Sequence, residues 1–231
     1  MKKYIYVLGL VTFLLSTNSV LAHVMWPVDC EIVNIDPGAK KILDAVKDNY
    51  FSYSDIFIEF SLIIQLAERP ETEEKGSIIQ QGTSFKVEMK DQDIYCDGND
   101  LWYHIKAKNE VQINDYEGGE DVGVISPADL LRQYDSGEFE YALLKEYQES
   151  KSSISEIEFK PNDTFSDYSK LRVKIDNDAH LIKKVIAFGK DGSRFTMKIT
   201  KELYDQMYPK SVFVFDEKKH PDALIEDLRL D

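Results

Sequence analysis

Apolar positions along the chain change period three times, and each change marks an element. Ala39, Ile42, Leu43, Val46 and Tyr50 recur at spacings of three and four, with Lys40, Lys41, Lys47 and Asp48 turned away, which predicts an amphipathic helix. Asp36-Pro37 supplies its start, an N-cap acid followed by proline at the first helical position. From Asp55 the period drops to two. Ile56, Ile58, Phe60, Leu62, Ile64 and Leu66 share one face, opposite Asp55, Glu59, Ser61 and Gln65. Such a run extends to roughly 40 Å, beyond the usual strand, and suits a large curved sheet. Glu68 to Gly76 reads as a charged, solvated hairpin tip.

Short strand patterns then recur at Ser77–Gln81, Phe85–Met89, Asp93–Cys96, Leu101–Ile105 and Glu110–Asp115. Asp97-Gly98-Asn99-Asp100 provides the positive φ of a tight turn between two aromatic-rich arms. Ser126-Pro127-Ala128-Asp129 opens a second helix with a capping serine, and Leu130, Leu131 and Tyr134 are its apolar residues. Two turns are too few to stand alone, so this helix must rest on apolar surface. Strand patterns resume at Phe139–Tyr147, Ile154–Phe159, Lys170–Ile175, Leu181–Phe188, Phe195–Ile199 and Val212–Phe215, and Leu224 to Arg229 alternates weakly as a last strand. Ten or eleven strands with two helices predict an antiparallel barrel or a strongly curved open sheet, not a βαβ fold.

Composition adds the compartment. Lys2 and Lys3, an apolar run from Tyr4 to Leu15 and the closing Val20-Leu21-Ala22 predict a signal peptide over residues 1–22, cleaved after Ala22, followed by an unassigned extension over 23–35 and one domain over 36–231. Removing the leader takes two lysines and no acid, leaving 26 basic against 42 acidic residues, a net charge of −16. A chain so acidic repels nucleic acid and anionic bilayers as a whole. Cys30 and Cys96 would lie in an oxidising compartment, where a disulfide and two partly buried thiols stand as alternatives.

Reactive chemistry is missing from the pattern. His23, His104, His180 and His220 are scattered without metal-ligand spacing, and Asp176-Asn177-Asp178 lacks the glycine and glutamate of a calcium loop. There is no nucleophile elbow, phosphate loop or dinucleotide fingerprint, so neither an enzyme nor a bound cofactor or metal is expected. A large β framework without such a constellation fits a container for apolar ligands, although alternation alone does not separate a hollow interior from a filled one.

The order and spacing of Asp97-Gly98, Leu101-Trp102, Asn109-Glu110-Val111, Ser126-Pro127, Phe213-Val214-Phe215 and Asp227-Leu228-Arg229 resembles the LolA family of periplasmic lipoprotein carriers, most of all its divergent Bacteroidetes-type members. The resemblance implies an incomplete β-barrel around a plug helix and a lid helix. It also implies a monomer that takes acylated lipoproteins from an inner-membrane ABC transporter to an outer-membrane acceptor. Phe85 falls at the family's cavity aromatic and Leu131 on the lid; with Phe60, Leu62, Val87, Met89 and Leu130 they form the expected lipid-binding set. Gln81 stands where the family has its lid-holding arginine, so the latch at that position lacks a guanidinium. A lipid- or partner-sensing regulatory module of the same fold is the alternative.

Overall fold

The computed structural model describes residues 35–116 and 126–229. The predicted leader, most of the extension and Cys30 lie outside them. Twelve strands form one sheet: β1 (Ile56–Gln65), β2 (Thr72–Gln81), β3 (Ser84–Glu88), β4 (Gln92–Cys96), β5 (Asp100–Ile105), β6 (Glu110–Asp115), β7 (Phe139–Glu149), β8 (Ser152–Pro161), β9 (Tyr168–Asp176), β10 (Leu181–Gly189), β11 (Arg194–Tyr204) and β12 (Leu224–Asp227). Their order is β12-β6-β5-β4-β3-β2-β1-β11-β10-β9-β8-β7, an open sheet that does not close on itself. The expected fold class is what the structure shows, with one strand more.

Helix α1 (Pro37–Ser52) lies against the inner face of this sheet, touching β7 and β10. Its start is built as the sequence predicts: the Asp36 carboxylate accepts from the Gly38 and Ala39 amides at 2.8 and 3.3 Å. The same side chain accepts from the Leu143 amide at 3.0 Å, which ties the helix entrance to β7. These three amides hold the Asp36 carboxyl below its ordinary value, the Leu143 amide most. Ala39, Leu43, Val46 and Tyr50 are buried along one stripe, and they meet the inward residues of nearly every strand in a single apolar cluster. Helix α2 (Pro127–Gln133) is the shorter one, capped by Ser126, whose hydroxyl accepts from the Asp129 amide at 3.1 Å.

Three expectations need correction. Residues 72–76 are not a hairpin tip but the first half of β2, because their backbone pairs with β1 from Phe60 to Ile64 and their charges project at the rim. Val212–Phe215 is not a strand. A 3-10 turn over Lys210–Phe213 leads an irregular segment across the outer face of β3 to β6, where Phe215 packs with Tyr95, Trp102, Val111 and Ile113 in a second, smaller core. The His220 ring stacks on Phe215 at 5.0 Å and meets His104 at 4.8 Å, closing that strap. Finally, β12 pairs with β6 in parallel, since the strap carries the chain back before it joins the edge.

The opposite edge is β7. A register shift between Leu143 and Lys145 bends it, and Ile35 bridges to Tyr141 beside it. Bulges and charges on an edge discourage pairing with a second molecule.

Candidate functional site

The inner face of β1 to β4 carries the residues predicted to hold lipid. Cross-strand pairing places Ile58 opposite Ile78, Ile78 opposite Val87, Val87 opposite Ile94 and Phe85 opposite Cys96, so these side chains share one face. Phe60, Phe85, Val87, Leu130 and Leu131 are all buried in one cluster, with Leu62 and Met89 half-buried against it. The structure thus gathers the whole predicted set. It also shows the set packed by the chain itself, because Leu130 and Leu131 fill the space between the sheet and α1.

A cavity of about 510 Å³ opens beside this cluster, where β3 ends and β1 and β2 run on. Phe60 and Met89 give it an apolar floor, and Glu59, Lys75, Glu88 and Lys90 a charged rim. Gly76, in its lining, makes room for the Phe60 ring, which crosses the strand where a side chain at 76 would stand.

Helix α2 is held by polar contacts on two sides of its C-terminal end. Toward α1, Tyr134 donates to Asp44, and the Lys47 ammonium meets Asp135 at 3.2 Å. Burial, together with that carboxylate, pushes the Tyr134 phenol far up. Toward the sheet, from the same last turn, the Arg132 guanidinium donates to the Gly82 carbonyl in the β2–β3 turn and, within the helix, to Asp129 at 2.9 Å. With its amide oxygen turned toward the guanidinium, Gln80 accepts from it at 2.8 and 3.0 Å. The guanidinium also lies 5.3 Å from the centre of the Phe51 ring.

Gln81, by contrast, alternates onto the other face of β2 and takes no part. A charged latch is present with its polarity reversed, the cation on the cover and the acceptors on the sheet. The signal in the sequence was slight, a lone arginine three residues after the first-turn Asp129.

Glu202 was not foreseen either. It faces inward from β11 and accepts from the Tyr50 hydroxyl at 2.7 Å, while Tyr53 and Tyr204 stack nearby at 4.1 Å. Burial raises its carboxyl above the ordinary 4.5, outweighing the Tyr50 hydrogen bond and Lys183. An acid raised in the folded state adds stability that is complete below its unfolded value and is lost as pH rises through its folded value. Glu202→Gln is therefore expected to flatten the loss of stability above about pH 4.5 and to raise stability at neutral pH; urea titrations across that range check it.

Cys96 is a buried free thiol that accepts from the Gly98 amide at 3.4 Å. Burial pushes it up to about 11, which leaves it unreactive. Among the described residues no cluster of histidine, cysteine and acidic side chains suits a metal.

No protein-family model and no curated protein matches the sequence. Solved structures do. An uncharacterized conserved protein from Thermus thermophilus superposes with a TM-score of 0.56 at 10% identity, covering 82% of this chain and 99% of that one. A LolA superfamily protein from Nitrosomonas europaea gives 0.43 at 13% identity, over 77% and 97%. A putative outer membrane lipoprotein-sorting protein domain from Vibrio parahaemolyticus gives 0.43 at 13%, over 76% and 97%. The solved structures similar to this chain thus include LolA-superfamily and lipoprotein-sorting proteins, and the likeness is one of fold.

Proposed function

We propose that this chain is a periplasmic carrier that shelters the acyl chains of lipoproteins between the inner face of its sheet and helix α2. The observation that carries the reading is the cover itself: a seven-residue helix whose Leu130 and Leu131 sit on Phe85 and Val87's face of the sheet and whose last turn polar latches tie to the sheet on one side and to α1 on the other.

Such a cover can be exchanged for a ligand. Exposing two leucines costs about 3–6 kcal/mol, whereas a sixteen-carbon acyl chain withdrawn from water gains on the order of 12 kcal/mol. The filled interior is then the empty carrier's resting state, with α2 standing in for cargo. On this reading an inner-membrane ABC transporter loads the chain and an outer-membrane acceptor empties it.

A fluorescent palmitoyl probe added to the purified chain tests this. Saturable uptake is expected, with Phe85→Glu and Leu131→Gly each reducing it about tenfold or more, since either places polarity or a void against the bound chain. Arg132→Ala is expected to speed both loading and release several-fold by freeing one latch, at a stability cost of about 1–3 kcal/mol. Absence of uptake by the native chain, or equal uptake by folded Phe85→Glu and Leu131→Gly variants, removes the carrier assignment.

A further inference from the structure

The outer face of β9, β10 and β11 holds a basic patch in a chain whose net charge is −14. Strand register arranges nine outward positions in three rows. Lys174, Lys184 and Lys198 stand side by side, then Arg172, Ile186 and Thr196, then Lys170, Phe188 and Arg194. Six of the nine are cations and none is an acid.

Neighbouring acids are concentrated on the β8 side of the array. Glu158 of β8 takes Lys170 at 3.0 Å and Arg172 at 2.7 Å, Glu149 takes Lys174, and Glu156, opposite Lys174, attracts Lys184 without an ion pair to it. Among the described residues Lys184, Arg194 and Lys198 have no ion pair, and the neighbouring strand β1 turns only Ser61, Ile63 and Gln65 toward them. Like charges placed directly opposite on adjacent strands repel, so the row of three lysines costs stability in the isolated molecule. The Phe188 ring lies at the centre of this charge, with Lys170, Arg172 and Arg194 at 5.3, 5.6 and 5.1 Å.

We propose that this face docks on an anionic phospholipid surface. Its shape decides between anionic partners. The array is two-dimensional, about 10 Å across the strands by about 14 Å along them, which matches a plane of phosphates better than the single line of charge that an extended acidic segment presents. Phe188 and Ile186, each half-buried in the middle, are placed to reach the acyl boundary while the surrounding cations stay at headgroup level. The acidic excess elsewhere does not prevent this, because at physiological salt charges farther than about 8 Å are largely screened. It orients the molecule instead, leaving this one face toward the membrane.

The proposal stands apart from the carrier reading, since it concerns the opposite side of the sheet and needs no acyl cargo. Cosedimentation of the full chain with phosphatidylglycerol vesicles, and separately with phosphatidylcholine vesicles, tests it. Binding is expected to phosphatidylglycerol only and to weaken as salt is added. The triple variant K184E/R194E/K198E is expected to lose about tenfold or more in binding while keeping palmitoyl-probe uptake and melting no lower than the parent chain, since it relieves the lysine row. K184Q/R194Q/K198Q should show a smaller loss. No binding to phosphatidylglycerol, equal binding to phosphatidylcholine, or undiminished binding by the folded charge-reversed variant overturns the proposal. Photo-crosslinking from position 184 that captures an acidic protein segment, in the absence of vesicle binding, assigns the patch to a protein partner instead.

Discussion

Replacing Asp55 by alanine is expected to destabilise the protein by about 2–5 kcal/mol, because a buried acceptor is lost while its donors stay. Asp55 is 1% exposed, and its carboxylate accepts from the Gln206 and Met207 amides at 2.8 and 2.9 Å and from the Ser54 hydroxyl at 3.2 Å. Asp205 and Met207 in that bend have φ of 53° and 57°, a left-handed backbone that needs such support. Asp205 reciprocates by accepting from the Ser54 amide at 2.8 Å. These bonds turn the chain out of β11 and aim it over the outer face. Losing them should therefore loosen the strap as well as the fold, and Trp102, which lies 7% exposed beneath that strap, reports it. The expected result is a lower urea midpoint together with a red-shifted Trp102 emission, recorded in a Trp26→Phe background. Asp55→Asn keeps one acceptor and should fall between. An unchanged midpoint for Asp55→Ala would show that these hydrogen bonds carry no net stability.

Gly76→Ala is the second large effect, with an expected cost of about 1–3 kcal/mol from overpacking. A methyl at this position would sit 2.5 Å from the Phe60 ring and 2.8 Å from the Glu88 carbonyl oxygen. Neither neighbour can yield easily: Phe60 is 1% exposed in the core, and the carbonyl is backbone next to the β2–β3 pairing. Something must shift, and whichever does also narrows the cavity bounded by Phe60 and Met89. A fall in melting temperature of several degrees is expected, and partial rescue by Phe60→Leu in the double variant identifies the ring as the clash. If Gly76→Ala melts with the parent chain, the tight crossing does not exist in solution.

Much of the architecture was legible because burial on one face leaves a period-two trace. Ile56 to Ile64, Phe85 to Met89 and Leu171 to Ile175 could be placed without coordinates, and Asp36 and Ser126 marked both helices through their caps. The trace fails where its cause differs. Phe213 and Phe215 alternate with the half-exposed Val214, yet their backbone joins no ladder; an extended segment lying across a sheet face buries every second residue just as a strand does. Residues 72–76 failed in the reverse sense, since their charges hide a strand paired along its full length with β1. The site was partly legible. Apolar positions facing inward named Phe60, Phe85, Val87, Leu130 and Leu131 together, but alternation records which way a side chain points and not whether the space before it is empty. Arg132 and Glu202 escaped because each is a single residue whose role depends on groups distant in sequence, Gly82 and Gln80 for one, Tyr50 for the other.

The parallel seating of β12 on β6 bears on how this molecule is born. Leu224 to Asp227 are synthesised more than a hundred residues after β6, yet they complete the row of hydrogen bonds along that strand. Until that segment has emerged, β6 offers a bare template to any nascent neighbour. Safe maturation of the polypeptide thus depends on this late segment arriving before a stranger does.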